Sequence, residues 1–213
     1  MIKRVFGERL DGWIRRLFPF LFRRRLNPNL LTVLGTLISL GSAACFARGQ
    51  LVWGGMVLLV GGFFDLVDGV VARHQGRTTA FGGFLDSTLD RLADVAVLVG
   101  LVIHYQAGGD GLHAVVAGAA LAGSVLTSYA KARADLVVDS VNVGLLERGE
   151  RVALIAAGAL FGWMELALWL VAIGSWITVG QRILVAYREM QRLEGPGGTG
   201  GRGDASLARG EAT

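Results

Sequence analysis

Two consecutive apolar stretches decide the fold of this chain: residues 51–73, LVWGGMVLLVGGFFDLVDGVVAR, and residues 81–103, FGGFLDSTLDRLADVAVLVGLVI. Each is long enough for an α-helix to cross a bilayer, which takes about 20 residues. They contain five aspartates, of which four stand out by their spacing: Asp65, Asp68, Asp86 and Asp90. Because a carboxylate within a membrane is energetically expensive, acids at such positions indicate a functional site. The two stretches therefore predict a helical hairpin whose acids share a positive partner, most simply one or two divalent cations.

The composition predicts an all-α integral membrane protein. The chain has 213 residues, of which 53% are hydrophobic and only 18% are charged, and its mean hydropathy is +0.52. Soluble domains carry about a quarter charged residues. The net charge of +4 does not indicate nucleic-acid binding, because the basic residues cluster beside apolar segments, as suits the anionic face of a membrane. One cysteine, Cys45, excludes an intrachain disulfide.

The chain divides into three segments. Residues 1–25 predict an amphipathic helix lying on the membrane surface, because apolar residues recur there at helical spacing among arginines. Residues 26–192 form the transmembrane domain, and the glycine-rich residues 193–213 predict a disordered tail. Six spanning helices are expected, at about residues 30–47, 52–72, 81–105, 112–134, 151–163 and 165–188.

Charges in the loops predict the orientation. Arg73, Lys131, Arg148 and Arg151 lie at or just beyond the helix ends that flank the loops after the second and fourth predicted helices, whereas residues 106–111 and 162–164 contain no Lys or Arg. The positive-inside rule then places both termini, and the loop of the acidic hairpin, in the cytoplasm.

The spacing of the aspartates predicts a metal site. Asp65 and Asp68 are three residues apart and Asp86 and Asp90 are four apart, so each pair shares a helix face. Carboxylates alone select hard cations such as Mg²⁺ or Mn²⁺, and two such ions can hold a diphosphate. Other interpretations of the same pattern are a structural charge cluster and an ion-conduction path.

The strings DLVDGVVAR at residues 65–73 and GGFLDSTLD at residues 82–90 resemble the signature of the CDP-alcohol phosphotransferases. The resemblance implies a six-helix membrane enzyme, commonly a homodimer, that transfers a phosphatidyl or similar group from a CDP-linked lipid to an alcohol and releases CMP. The charge pattern of the loops places the site of this activity at the cytoplasmic side. The motif itself covers residues 65–90.

The resemblance also implies roles for single residues. Two divalent cations, Mg²⁺ or Mn²⁺, would be bound by Asp65, Asp68 and Asp86 with Asp90, and Asp90 would be the catalytic base for the acceptor hydroxyl. The CDP part of the donor, CDP-diacylglycerol or a similar lipid, would contact Asp65, Gly69, Ala72, Arg73 and Gly82.

A second basic region concerns the acceptor. Residues 128–135, SYAKARAD, and residues 147–151, ERGER, predict either plain positive flanks of helices or a site for a second phosphate. They resemble the phosphatidylinositol phosphate synthases of the same family, which implies inositol phosphate as the phosphorylated acceptor. The positions implied for its phosphate are Ser128, Lys131, Arg151 and Arg182.

Two alternative functions remain at this stage. A phosphatidylglycerol phosphate synthase would use the same basic cluster for glycerol 3-phosphate. A cation transporter would use the acids as its ion site, but that class is expected to show broken helices or an inverted repeat. Asp94, one turn beyond Asp90, either supports the site from behind or pairs with an arginine such as Arg91.

Overall fold

A computed structural model describes residues 27–74, 79–136 and 143–194 of the chain. Every regular element within these ranges is an α-helix, which confirms the predicted all-α class. The predicted amphipathic helix at residues 1–25 lies outside the described residues, as does the predicted tail from residue 195 onward.

Six helices follow one another along the described part of the chain: α1 Pro28–Ala47, α2 Leu51–His74, α3 Ala80–Ala107, α4 Gly111–Ala134, α5 Arg148–Phe161 and α6 Met164–Glu194. The predicted helices lie within about three residues of these bounds, except at the end of α6. That helix continues beyond the predicted Arg188 because residues 189–194 are all tolerated in helices, and Gly195-Pro196 supplies the first breaker.

Four of the six helices, α1, α2, α4 and α6, are long and apolar enough to cross a membrane. Large hydrophobic side chains on their outer faces are exposed, for example Trp53, Val115 and Trp176. This apolar exterior agrees with a membrane protein. The other two helices differ: α3 has 28 residues but carries the charged motif in its first half, and α5 has only 14 residues.

Helix α1 packs against both acidic helices, α2 and α3, which are not themselves a principal packing pair among the described helices. Two glycines allow the approach. A Cβ on Gly100 of α3 would collide with the carbonyl oxygen of Ala43, and one on Gly61 of α2 would lie 3.1 Å from the Gly35 carbonyl oxygen. The acids of α2 and α3 therefore face each other across a space at one end of α1.

The remaining contacts close the bundle. Helix α3 packs on α4, α4 on α6, α6 on α5, and α5 returns to α2. The main apolar core includes Phe46, Leu98, Leu101, Leu168 and Val171, all fully buried.

Capping side chains determine where three helices begin. At α1, Asn27 Oδ1 accepts a hydrogen bond from the Asn29 backbone at 3.1 Å, and at α3, Thr79 Oγ1 accepts from Gly82 N at 2.9 Å. At α5, Glu147 and Glu150 form a reciprocal capping box. All three starts lie at the acidic end of the bundle, so they position the groups of the candidate site.

At the opposite end, Asp110 caps α4 by accepting from His113 N at 3.1 Å. Its carboxylate also lies 2.7 Å from His113 Nδ1. Hydrogen bonding to His113 holds the pKa of the Asp110 carboxyl below its ordinary value.

Candidate active site

Three of the motif acids converge at the predicted metal site. Asp65 and Asp68 of α2 and Asp86 of α3 each offer a carboxylate oxygen, and these oxygens lie within 4.8 Å of one another. Asp68 is only 5% exposed, and its Oδ2 has no hydrogen-bond partner. A buried carboxylate oxygen without a donor is costly unless a cation binds it. The donor set, made only of oxygens, fits Mg²⁺ or Mn²⁺.

Asp90 lies one turn beyond Asp86 on α3, and its carboxylate contacts an arginine. Its Oδ1 is 2.9 Å from Nη1 of Arg148, the first residue of α5. The same Nη1 also donates to Asp65 Oδ2. The structure thus brings all four motif aspartates to one region, with a guanidinium between Asp65 and Asp90.

Asp94 holds two arginines at the back of this region. Its Oδ1 lies 3.3 Å from Arg148 Nε, and its Oδ2 lies 2.8 Å from Arg151 Nη2. Ser124 of α4 donates to the same Oδ2 at 3.3 Å. Asp94 therefore supports the site from behind and does so through α5. The predicted alternative partner, Arg91, donates instead to the Ser87 carbonyl of its own helix.

A cavity of about 180 Å³ adjoins the acid cluster. Its lining includes four residues predicted for the nucleotide and two metal-site acids: Gly69, Ala72, Arg73, Gly82, Asp68 and Asp86. Asp65, which was also predicted to contact the nucleotide, is not among these lining residues but belongs to the adjacent acid cluster. The sequence motif and the cavity thus coincide at the junction of α2 and α3.

Further polar residues of the cavity come from segments that the motif does not include: Asn29, Thr32 and Thr79. Asn29 and Thr32 lie at the start of α1, directly after the Asn27-Pro28 break, and Thr79 caps α3. The break was the only signal in the sequence that this end of α1 has a special role.

Four residues were predicted to bind the acceptor phosphate. Two of them are buried arginines that bind other groups of the protein, and the other two lie near the end of α4. Arg151 is 4% exposed and held by Asp94, and Arg182 of α6 donates to the backbone carbonyls of Thr127 (2.6 Å) and Val143 (2.9 Å). Lys131 Nζ lies 3.4 Å from Asp135. Ser128 is half-buried on the same helix. Arg148, the guanidinium nearest the acids, was not among the four.

Comparison with known proteins identifies the family. A family model described as CDP-alcohol phosphatidyltransferase matches residues 25–184. The chain is 42% identical over 185 residues to a phosphatidylinositol phosphate synthase of Streptomyces avermitilis, covering 80% of this chain and 76% of the relative. It is 39% identical over 170 residues to an archaetidylinositol phosphate synthase of Pyrococcus horikoshii, covering 79% of this chain and 86% of the relative.

Solved structures give the same result. The phosphatidylinositol phosphate synthase of Mycobacterium tuberculosis with CDP-DAG bound superposes with a TM-score of 0.73 at 31% identity, covering 90% of this chain and 97% of that chain. The same synthase in complex with manganese and citrate gives 0.72 at 30% identity, covering 91% of each chain. These matches confirm the resemblance and the enzyme interpretation. The chain therefore belongs to the CDP-alcohol phosphatidyltransferase family and is a transferase of phospholipid biosynthesis.

Proposed function

We propose that this enzyme transfers the phosphatidyl group of CDP-diacylglycerol, or a similar CDP-lipid, to a hydroxyl of inositol phosphate and releases CMP. The observation that carries the proposal is the three-acid cluster beside a cavity lined by Gly69, Ala72, Arg73 and Gly82. That arrangement suits a diphosphate held by cations with a nucleoside next to it. A related synthase of known structure binds CDP-DAG, which supports the choice of donor.

The names of the relatives support the acceptor. One relative is a phosphatidylinositol phosphate synthase and the other an archaetidylinositol phosphate synthase, so the two differ in the lipid and agree on inositol phosphate. Both are similar to this chain at about the same level of identity. Inositol phosphate is therefore the better acceptor hypothesis than glycerol 3-phosphate, and the chains of the donor lipid are the more variable part.

The proposed mechanism uses the four acids to bind metal and one of them, Asp90, also to transfer a proton. Asp65, Asp68 and Asp86, with Asp90 beside them, would hold two divalent cations, Mg²⁺ or Mn²⁺. When bound, these ions neutralise the diphosphate and stabilise its leaving oxygen. Arg73, at the edge of the cavity, would contact phosphate oxygens of the donor. Gly69 and Gly82 keep the backbone accessible to the nucleotide.

Asp90 is proposed as the general base. It takes the proton of the acceptor hydroxyl while the hydroxyl oxygen forms a bond to the phosphorus that bears the lipid. The bond between that phosphorus and the oxygen of the CMP moiety breaks, and CMP leaves with the bonding electron pair. Asp90 Oδ1 lies 2.9 Å from Arg148 Nη1.

For the acceptor phosphate we propose Ser128, Lys131, Arg151 and Arg182. Ser128 and Lys131 lie in the last two turns of α4, Arg151 lies in the first turn of α5, and Arg182 lies in the second half of α6. Lys131 is the most exposed of the three cations, and its ammonium can turn from Asp135 to a phosphate. Arg151 and Arg182, both buried, would act with donors left over from their internal contacts.

The membrane arrangement is also a proposal. All six helices would span the bilayer, with α3 and α5 added to the four apolar spans. Both termini and the active site would face the cytoplasm, with residues 1–25 on the membrane surface, residues 26–192 as the catalytic domain and residues 193–213 as a tail. A homodimer is expected to give twice the 22.6 kDa chain mass by light scattering after subtraction of detergent.

A parallel acceptor assay tests the proposed function. The purified enzyme is incubated with CDP-diacylglycerol and Mg²⁺ or Mn²⁺, against inositol phosphate, glycerol 3-phosphate, inositol and serine, and CMP and the lipid product are measured. Of the four acceptors, we expect only inositol phosphate to give rapid CMP release. A product formed mainly from glycerol 3-phosphate would contradict the acceptor assignment. A parallel reaction with an ether-linked CDP-lipid distinguishes the two kinds of donor.

A further inference from the structure

Arg148 occupies an unusual position for a residue next to a metal site. Its single guanidinium contacts three carboxylates from two helices: Asp65 of α2, and Asp90 and Asp94 of α3. Its side chain is only 25% exposed, so bulk water screens these contacts weakly. One half-buried positive charge therefore balances part of the negative charge that the motif concentrates here.

Asp65 belongs to two sets of contacts at once. It is a member of the three-acid cluster with Asp68 and Asp86, and it accepts a hydrogen bond from Arg148 Nη1. A divalent cation in that cluster would lie a few ångströms from the guanidinium. Positive charges at such a distance repel each other, and a partly buried site screens that repulsion less than bulk water does.

From this geometry we infer that Arg148 is a built-in counter-ion that competes with divalent cations for Asp65 and Asp90. The inference rests on the proposed metal site and adds a residue that sets its affinity. The guanidinium keeps the acids together when the cation concentration is low, and it withdraws from Asp65 when a cation binds.

Asp94 limits how far Arg148 has to move when a cation replaces it. Arg148 Nε stays on Asp94 at 3.3 Å, and Asp94 is itself held by Arg151 at 2.8 Å. The guanidinium therefore keeps its contact with Asp94 through Nε. Only its Nη1 atom has to move away from the other acids. Arg148 acts here as a positioning residue, since its effect on the reaction passes through the acids.

The experiment measures Mn²⁺ binding to the full-length purified protein, without substrate, by isothermal titration calorimetry. Arg148→Gln should bind Mn²⁺ more tightly than the unsubstituted protein, on the order of tenfold, because the competing charge is gone. In EDTA the same variant should unfold at a lower temperature, because Asp65 and Asp90 lose this counter-ion and Asp94 keeps only Arg151. Its stabilisation by Mn²⁺ should be correspondingly larger.

Two further variants serve as controls. Arg192→Gln removes the same charge from an exposed arginine that contacts Glu189 near the end of α6, and it should leave the Mn²⁺ affinity unchanged. Arg148→Lys keeps the charge, but an ammonium group lacks the planar guanidinium that contacts three carboxylates at once. This variant should therefore tighten Mn²⁺ binding by a smaller factor than Arg148→Gln. If Arg148→Gln cannot be purified, Arg148→Lys decides the question alone.

The outcomes separate this inference from the function on which it rests. If the unsubstituted protein binds neither Mn²⁺ nor Mg²⁺, the proposed metal site is wrong. If it binds Mn²⁺ and the Arg148 variants bind equally or more weakly, the metal site stands and the competition by Arg148 is overturned. Tighter binding in Arg192→Gln to the same extent would also overturn it, because the effect would then come from net charge.

Discussion

Asp90 can be replaced while the three-acid cluster of Asp65, Asp68 and Asp86 stays intact, because that cluster does not include it. Replacing Asp90 with Asn removes the proposed base and keeps the shape of the side chain. We expect Asp90→Asn to release CMP at least about a hundredfold more slowly, as is typical for loss of a general base. Mn²⁺ should still raise the unfolding temperature of the variant. Glu189→Gln, at the exposed end of α6, is the matched control. CMP release at the unsubstituted rate would contradict the assignment.

Gly82 tests the nucleotide cavity at the same scale. A Cβ at this position would lie 3.0 Å from Thr79 Oγ1 and 3.2 Å from Asn29 Oδ1, so it narrows the cavity at its polar edge. We expect Gly82→Ala to raise the KM for the CDP-lipid about tenfold, because the nucleotide loses space next to the backbone. Steady-state kinetics with varied donor measure the effect.

Gly111→Ala is the control for this change. Gly111 also lies in the first turn of a helix, at the opposite end of the bundle, and a Cβ there meets nothing within 4 Å. An unchanged KM in Gly82→Ala would show that the cavity does not hold the donor.

At the scale of the helices, α1 is the element that positions the acids, since it packs on α2 and α3 at once. A close backbone approach joins Gly100 of α3 and the Ala43 carbonyl of α1. We expect Gly100→Ala to push these helices apart and to destabilise the protein by about 1–3 kcal/mol. The unfolding temperature in detergent measures this. Gly118→Ala on α4, where a Cβ meets nothing within 4 Å, should not lower it.

Helices and motif residues were predictable because they leave local patterns: apolar runs of membrane length, and acids at helical spacing. The role of Arg148 was not, since it depends on how α5 packs against α2, and helix packing leaves no short-range signal. The same holds for Asn29 and Thr32, which reach the cavity only because α1 lies beside α2 and α3. Arg182, which the resemblance assigned to the acceptor phosphate, remains a prediction, and its hydrogen bonds to two backbone carbonyls had no signal in the sequence.

For the whole molecule, the orientation in the membrane is the main prediction. Two single-cysteine variants test it, both made in a Cys45→Ser background. Gly108→Cys places an exposed thiol between α3 and α4, and Gln191→Cys places one near the end of α6, at the opposite end of the bundle. We expect a membrane-impermeant maleimide to label position 108 in intact cells, and position 191 only after the membrane is permeabilised. Labelling of position 191 in intact cells would show that the protein has the opposite orientation to the predicted one.

The ion pair between Arg148 and Asp65 joins residues 83 positions apart in the chain. A ribosome makes the chain from its N-terminus, so the acidic hairpin leaves it well before its arginine partner exists. During that interval the acids of α2 and α3 lack this counter-charge, and a chain that ends before α5 would never gain it. Biogenesis of this enzyme therefore has a late step, the arrival of α5, on which the charge balance of the earlier helices depends.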